Sequence, residues 1–336
     1  MTAAALAYTV RTPHWVLTYA GVNITADVSS MVVSVTYTDR LGGAAGEAEV
    51  EIEDHAKLWQ DLWYPALGDR VNLLIGYRGE ELLPCGDFQV DDLELAGPPD
   101  TMHLRCLAAY VTPAMRTAYT IGYENQSVLG IARAVAAKYG LEVAAAPGVS
   151  DIQYARVTQR QESDLEFLRR LAREHDYDFT VRGARLVFYA RTALESAAPV
   201  ATITRQSAGR FNFRSRTHAM YSGAQAAYQN PDTKRLILQT AKPAGTIAAG
   251  DTLKIVTRCE NGQQAAVKAQ AALHRHDMIA VEAALSGPGS IALAAGNTVA
   301  LGGWGKFDGN YLIETARHRL SRANGYTTEV EARNVA

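Results

Sequence analysis

Three clusters of side chains in this 336-residue chain have types and spacings that could do chemistry. His274, His276 and Asp277 form an H-x-H-D string, which could offer two imidazoles and a carboxylate to a metal. They close an Ala/Gln-rich helical stretch, NGQQAAVKAQAALHRHD, where histidine suits the negative end of the helix dipole. Glu162, Asp164 and Glu166 gather three carboxylates, the raw material of acid–base catalysis, but they sit at a helix start where negative charge is favoured for structural reasons. Arg169, Arg170 and Arg173 make a basic face with no interleaved aromatics, which reads as a solvated face or a protein contact rather than a nucleic-acid site. The glycine-rich GGWGKFDGN lies between antiparallel strands, so the strand-to-helix setting of a phosphate cradle is missing. No HExxH, GxSxG or GxxxxGK[ST] string occurs. The residues therefore predict no catalytic group, no cofactor site and no metal site.

What must position these side chains is mostly β-structure. The composition, 48% hydrophobic and 20% charged with a formal net charge of −2, is that of a folded protein with no general affinity for phosphate. A chain this long exceeds one ordinary core, so two or more domains are expected. Cys85, Cys106 and Cys259 are odd in number and lack CxxC spacing, which points to reduced core thiols. The opening MTAAALAYTVRTPHW has no basic start or export-length apolar run, and no stretch reaches membrane-spanning length. Folding in a reducing cytosol without stable membrane association is the expectation.

One strand–turn–strand pattern occurs twice. From Glu49 to about Cys106, VEIE leads through a loop into GDRVNLLIGY, then CGDFQV, then MHLRCLA. From about Ala280 to Arg333, VEAA leads into GNTVALGGW, DGNYLI and TTEVEAR. Gly68 matches Gly296, Val71 matches Val299, Gly86 matches Gly309, Phe88 matches Tyr311 and Val90 matches Ile313. Order, apolar phase and turn punctuation agree, as an internal duplication requires. The β-rich stretch 14–40 precedes the first copy, and a helix carrying Leu58, Trp59, Leu62 and Trp63 is expected to cap its open end.

Between the copies the period changes to helical. Ser127 can cap a helix over SVLGIARAVAAKYG, and Ser163 with Glu166 forms a capping box for a second helix whose Leu168 and Leu171 face inward. A hairpin turning at Gly183 follows. The expected fold is mainly β with α+β insertions: two tube-like antiparallel β-barrel domains related by duplication and separated by a small α+β module. The boundaries are 1–112 for the first barrel, 113–196 for the module and 197–336 for the second barrel. An insertion at about 221–277 interrupts the last, at a hairpin tip where extra chain costs little closure entropy.

The stretch QESDLEFLRRLAREHDYDFTVRGARLVFY resembles the late control D family of tailed phages and, more distantly, the N-terminal hub half of VgrG proteins. Ser163, Asp164, Phe167, Leu168, Arg170, Leu171, Ala172, Tyr177 and Phe179 stand at the positions that carry it. The closing stretch from Gly296 to Arg333, with its DG-x-Y-x-I and GY-T-T pieces, is similar to that family's ending. The resemblance implies a structural baseplate hub: a homotrimer whose six barrels adapt a six-fold tail tube to a three-fold central spike. It implies assembly in the bacterial cytoplasm and a mature place in a virion or phage-tail-like particle. Implied partners are the tail tube protein, the central spike, other baseplate proteins and the tape-measure protein, without specific nucleic acid. VgrG proteins continue into a β-helical spike; nothing after Arg333 could form one, so a separate spike chain is expected. The readings from other classes are a cell-wall hydrolase or binder using residues 113–195, and an effector-carrying VgrG-like hub.

Overall fold

The stretch VVSVTYTDR, rich in β-branched residues, becomes the strand on which both ends of the chain converge. The computed structural model describes residues 11–42, 46–110, 113–215, 221–229, 234–242, 251–277 and 281–335. The chain opens with β1 (Pro13–Tyr19), β2 (Val22–Asn23) and the single-turn α1 (Thr25–Val28). Then follow β3 (Val32–Arg40), β4 (Glu47–Glu53), β5 (Arg70–Tyr77), β6 (Leu83–Ala96) and β7 (Thr101–Ala108). The first part of β6 pairs with β5, and its later part pairs with β7. A bulge between Val90 and Asp92 bends it between those two partners.

The helix expected around Leu58–Trp63 is absent; residues 54–69 form successive turns. The Asp54 carboxylate accepts the backbone N–H groups of Trp59 at 3.0 Å and Gln60 at 3.1 Å. A side-chain acceptor that captures these donors competes with helical bonding. Trp59 is nonetheless 4% exposed and packs within the first core.

The middle of the chain supplies β8 (Tyr119–Ser127), α2 (Val128–Ala137), β9 (Glu142–Ala145), β10 (Gln153–Glu162), α3 (Asp164–Glu174), β11 (Tyr177–Arg182), β12 (Arg185–Ala190) and α4 (Arg191–Glu195). Ser127 caps α2 through the N–H of Gly130 at 2.9 Å, and Ser163 with Glu166 makes the capping box of α3. Leu168 and Leu171 are fully buried in a core shared with Phe167, Phe179 and Phe188.

The remainder begins with β13 (Ala201–Thr204), β14 (Arg210–Ser215), β15 (Gly223–Gln229), β16 (Leu236–Ala241), β17 (Thr252–Ile255) and α5 (Gly262–Asp277). It ends with β18 (Val281–Pro288), β19 (Thr298–Gly302), β20 (Gly309–Ser321) and β21 (Gly325–Val335). Strands β14 and β18 pair antiparallel. The chain between them builds a separate sheet ordered β16-β15-β17, on which Ala265, Ala269 and Leu273 of α5 pack in an alanine-rich core.

Two closed barrels are not what forms. One 13-stranded sheet runs β14-β18-β21-β20-β3-β4-β7-β6-β5-β1-β2, with β19 and β13 attached beside β20, and no sheet closes on itself among the described residues. The reason is that the edge of β3, which would close the first unit, is taken by β20 from Thr315↔Arg40 to Ser321↔Ser34. Leu320 and Tyr326 of the C-terminal hairpin belong to the first unit's apolar core, and the Tyr326 ring lies 5.2 Å from that of Tyr77. Tyr326→Ala should therefore destabilise the chain by roughly 3–5 kcal/mol in urea unfolding. Amide exchange should rise first in β1 and β5, far from the mutated residue in sequence.

Candidate functional site

The matched strands share their pairing as well as their spelling. Val71 pairs with Phe88 and Leu73 with Gly86; Val299 pairs with Tyr311 and Leu301 with Gly309. Gly68 donates to the Val90 carbonyl at 2.8 Å, and Gly296 donates to that of Ile313 at 2.9 Å. Both glycines have φ of 90°, a left-handed conformation that disfavours side chains. Val90 returns a bond to Asp69 at 3.0 Å, as Ile313 does to Asn297 at 2.9 Å. The bulge after Val90 recurs after Ile313, so Leu93↔Leu104 corresponds to Ala316↔Val330.

Continuing across the sheet, Leu104 pairs with Val50 and then Val35, while Val330 pairs with Leu285 and then Phe211. This register corrects the alignment of VEIE with VEAA: Val50 corresponds to Leu285, a slip of four residues that keeps the apolar phase. The two units differ at their outer strand, since β1 runs antiparallel to β5 whereas β13 runs parallel to β19.

Strand alternation places the apolar residues of both units on one side of the sheet and charges on the other. Grooves on the charged side are lined by Arg40, Glu47, Glu49, Arg317 and Glu331 around the seam, and by Glu51, Asp92, Glu94 and Arg105 beyond it. Acidic β4 faces basic positions on its neighbour β7 and, across β3, on β20. Arg105 bonds Glu47, and Arg317 lies 3.6 Å from Glu49. Such a face suits broad polar contact more than a small ligand.

A second cluster lies where β11, α4, α5 and β20 meet. Arg191, 5% exposed, reaches Asp178 at 3.0 Å and Glu314 at 2.5 Å, and Glu314 also holds Arg333 at 2.6 Å. From α5, Arg275 pairs with Asp178 at 3.4 Å, and Lys268 pairs with Glu174 at 2.7 Å. His274 sits between Asp176 at 2.7 Å and Glu195 at 3.1 Å, and its hydrogen bonds to these carboxylates push its pKa up to about 10. That places His274 in a structural clasp. His276 packs edge-on against Tyr221. Among the described residues no group of three His, Cys, Asp or Glu side chains is arranged to hold a metal.

The other chemical candidates also have structural partners. Glu162 pairs with Arg170 at 2.8 Å, and Glu166 closes the capping box, where hydrogen bonds from Ser163 lower its pKa. Asp164 is fully buried and accepts from Tyr139 at 2.7 Å and Gln159 at 3.2 Å. Of the arginines expected to form a solvated face or a protein contact, Arg170 is half-buried between Glu162 and Glu174, and Arg169 donates to the Gly42 carbonyl. Cys85 and Cys106 are buried free thiols. Sequence reasoning missed the Arg191 cluster, of which only the Arg191–Glu195 spacing is a local signal.

Solved structures share this mainly β architecture. It is similar to the 43 kDa tail protein of prophage MuSo2 from Shewanella oneidensis, with a TM-score of 0.68, 16% identity and 97% of each chain covered. It is also similar to the E. coli c3393 protein, a component of the type VI secretion system, with a TM-score of 0.60, 12% identity, and 91% of this chain and 74% of that one covered. Residues 100–324 match the phage tail baseplate hub (GPD) family, and the chain belongs to that family. It is 28% identical to a probable baseplate hub protein of Escherichia phage P2 over 221 residues, 65% of this chain. It thereby spans 56% of that relative's length.

Three histidines together set a pH optimum. His274 has a folded pKa above its unfolded value of 6.5, so its contribution is full below pH 6.5 and is lost as pH rises toward 10. His175 and His318 are lowered by burial to about 4, so their contribution is full above 6.5 and is lost as pH falls toward 4. Stability measured against pH should peak near 6.5, and His274→Gln should flatten the alkaline limb alone. Arg191→Met should cost roughly 3–5 kcal/mol, because it leaves Asp178 buried without its main partner.

Proposed function

We propose that the chain is a mechanical hub: a homotrimer whose six sheet units adapt a six-fold tail tube to a three-fold central spike. The observation that carries this reading is the shared register of the two units, down to the matched turns at Gly68 and Gly296 and the bulges after Val90 and Ile313. That agreement supports an internal duplication, with domain limits near 1–112, 113–196 and 197–336 and an insertion at about 221–277.

Direction matters as much as number. Strands alternate through β14, β18, β21, β20, β3, β4, β7 and β6, so both units point the same way. One end of the sheet carries the hairpin tips at 97–100 and 322–324, one from each unit. The opposite end carries the module and the insertion, each present once per chain. On this reading the twice-presented tips meet the tail tube, and the once-presented elements meet the spike and other baseplate proteins. Assembly occurs in the bacterial cytoplasm, and the mature hub sits in a virion or phage-tail-like particle, with the tape-measure protein as a further partner.

No reacting group is required, and the barrel positions Phe88, Val90, Tyr311 and Ile313 act by packing alone. The alternative of a cell-wall hydrolase is disfavoured because Glu162, Asp164 and Glu166 are each held by structural partners. A VgrG-like carrier shares the same hub geometry and differs in its cargo. Native mass spectrometry should give three times the 36.3 kDa chain mass. A stable dimer or a single chain at micromolar concentration would contradict the proposal.

A further inference from the structure

The two apolar cores of the sheet are not equally closed. In the first, the chain after β1 turns back as α1, with Val28 buried in the core and Ile24 packed against it. After β13 only residues 205–209 intervene before β14, and they form no helix. Along this short link a cleft of about 430 Å³ opens onto the second core. Its apolar lining includes Ala201, Ile203, Ala208, Leu285, Leu293 and Val330. A cavity of roughly 150 Å³ takes one benzene ring, so this cleft has room for two large side chains. Arg11 lines the same cleft. It is held there: it donates to Glu80 at 2.9 Å, and its guanidinium lies 3.8 Å from the centre of the Tyr77 ring. The Tyr77 hydroxyl in turn donates to the carbonyl of Gly289, another lining residue, at 3.2 Å.

We propose that the segment preceding Arg11 docks in this cleft of its own chain, with Leu6 and Tyr8 as the side chains that fill it. The ten residues before Arg11, MTAAALAYTV, lie outside the described residues, and their large apolar side chains stand at Leu6, Tyr8 and Val10. That spacing of two puts all three on one face of an extended strand, with Ala5, Ala7 and Thr9 on the other. Reach favours the chain's own segment as the occupant. An extended chain advances about 3.3–3.6 Å per residue, so Tyr8 lies within roughly 10 Å of Arg11 and Leu6 within roughly 17 Å. With its root already on the cleft wall, the segment closes only a short loop, which costs little entropy. Docked there, it straps the start of β1 to β13 and β18 and gives the second core the cover that α1 gives the first. This contact is separate from the β3–β20 ladder and does not depend on how many copies assemble.

The test is photocrosslinking in the intact chain, with p-benzoylphenylalanine in place of Tyr8 and equal parts of light and heavy isotope-labelled protein. Crosslinks mapped by mass spectrometry should fall on β13, on the 205–209 link and on residues 285–293, and should join light to light and heavy to heavy only. Leu6→Asp should cut their yield about tenfold, as the loss of one buried leucine implies. Thr9→Asp, on the opposite face of the strand, should leave the yield unchanged. Circular dichroism checks that each variant is folded. Crosslinks that fall elsewhere or do not form, or a yield indifferent to Leu6→Asp, would overturn the proposal. Mixed light–heavy pairs would assign the cleft to the segment of a second copy and overturn the strap within one chain.

Discussion

Everything in this molecule depends on the pairing of β3 with β20, which joins residues near the start of the chain to residues near its end. Without that ladder the chain would be two small sheets linked by a module. With it, the apolar layer of the first unit is completed by Leu320 and Tyr326 of the second, and the polar faces merge into one surface. The seam is long and mostly buried, so its hydrogen bonds are shielded from competition by water. A ladder of this kind fixes the angle between the two parts of the sheet through strand twist rather than through a linker.

The buried charges do a different job. Arg191, Asp178, Glu314 and the α5 side chains hold α5 against β11 and α4 against β20. Buried ion pairs stabilise little relative to apolar packing, but breaking one is costly, so they select one arrangement among several that packing would tolerate. Alanine-rich packing under α5 gives that helix little hold of its own. Its seating on the module depends instead on Lys268, His274 and Arg275.

Legibility in the sequence followed the range of the interaction. The caps at Ser127 and Ser163, the turn at Gly183 and the apolar stripes of the helices are local, and each can be read from a handful of residues. The turns at Gly68 and Gly296 are local too, and their repetition exposed the matched strands. The seam was not legible, because the edge partner of β3 is chosen by geometry hundreds of residues away, and so separate barrels were expected where one open sheet forms. The expected helix at Leu58–Trp63 failed because its spacing was right but Asp54 captured the amides that would have started it. The parallel placement of β13 and the Arg191 clasp had no short-range signature beyond one i,i+4 pair. The histidines of the H-x-H-D string were visible, but their partners were not.

Electron cryomicroscopy of the assembled protein, viewed down its symmetry axis, tests the central claim most directly. Three chains should show six lobes of nearly equal radius around one channel, with three-fold features confined to the end that bears modules and insertions. Three lobes, or six lobes in two rings of unequal radius, would mean that the paired units are not equivalent in the assembly, and the account of this fold as a symmetry adaptor would fail.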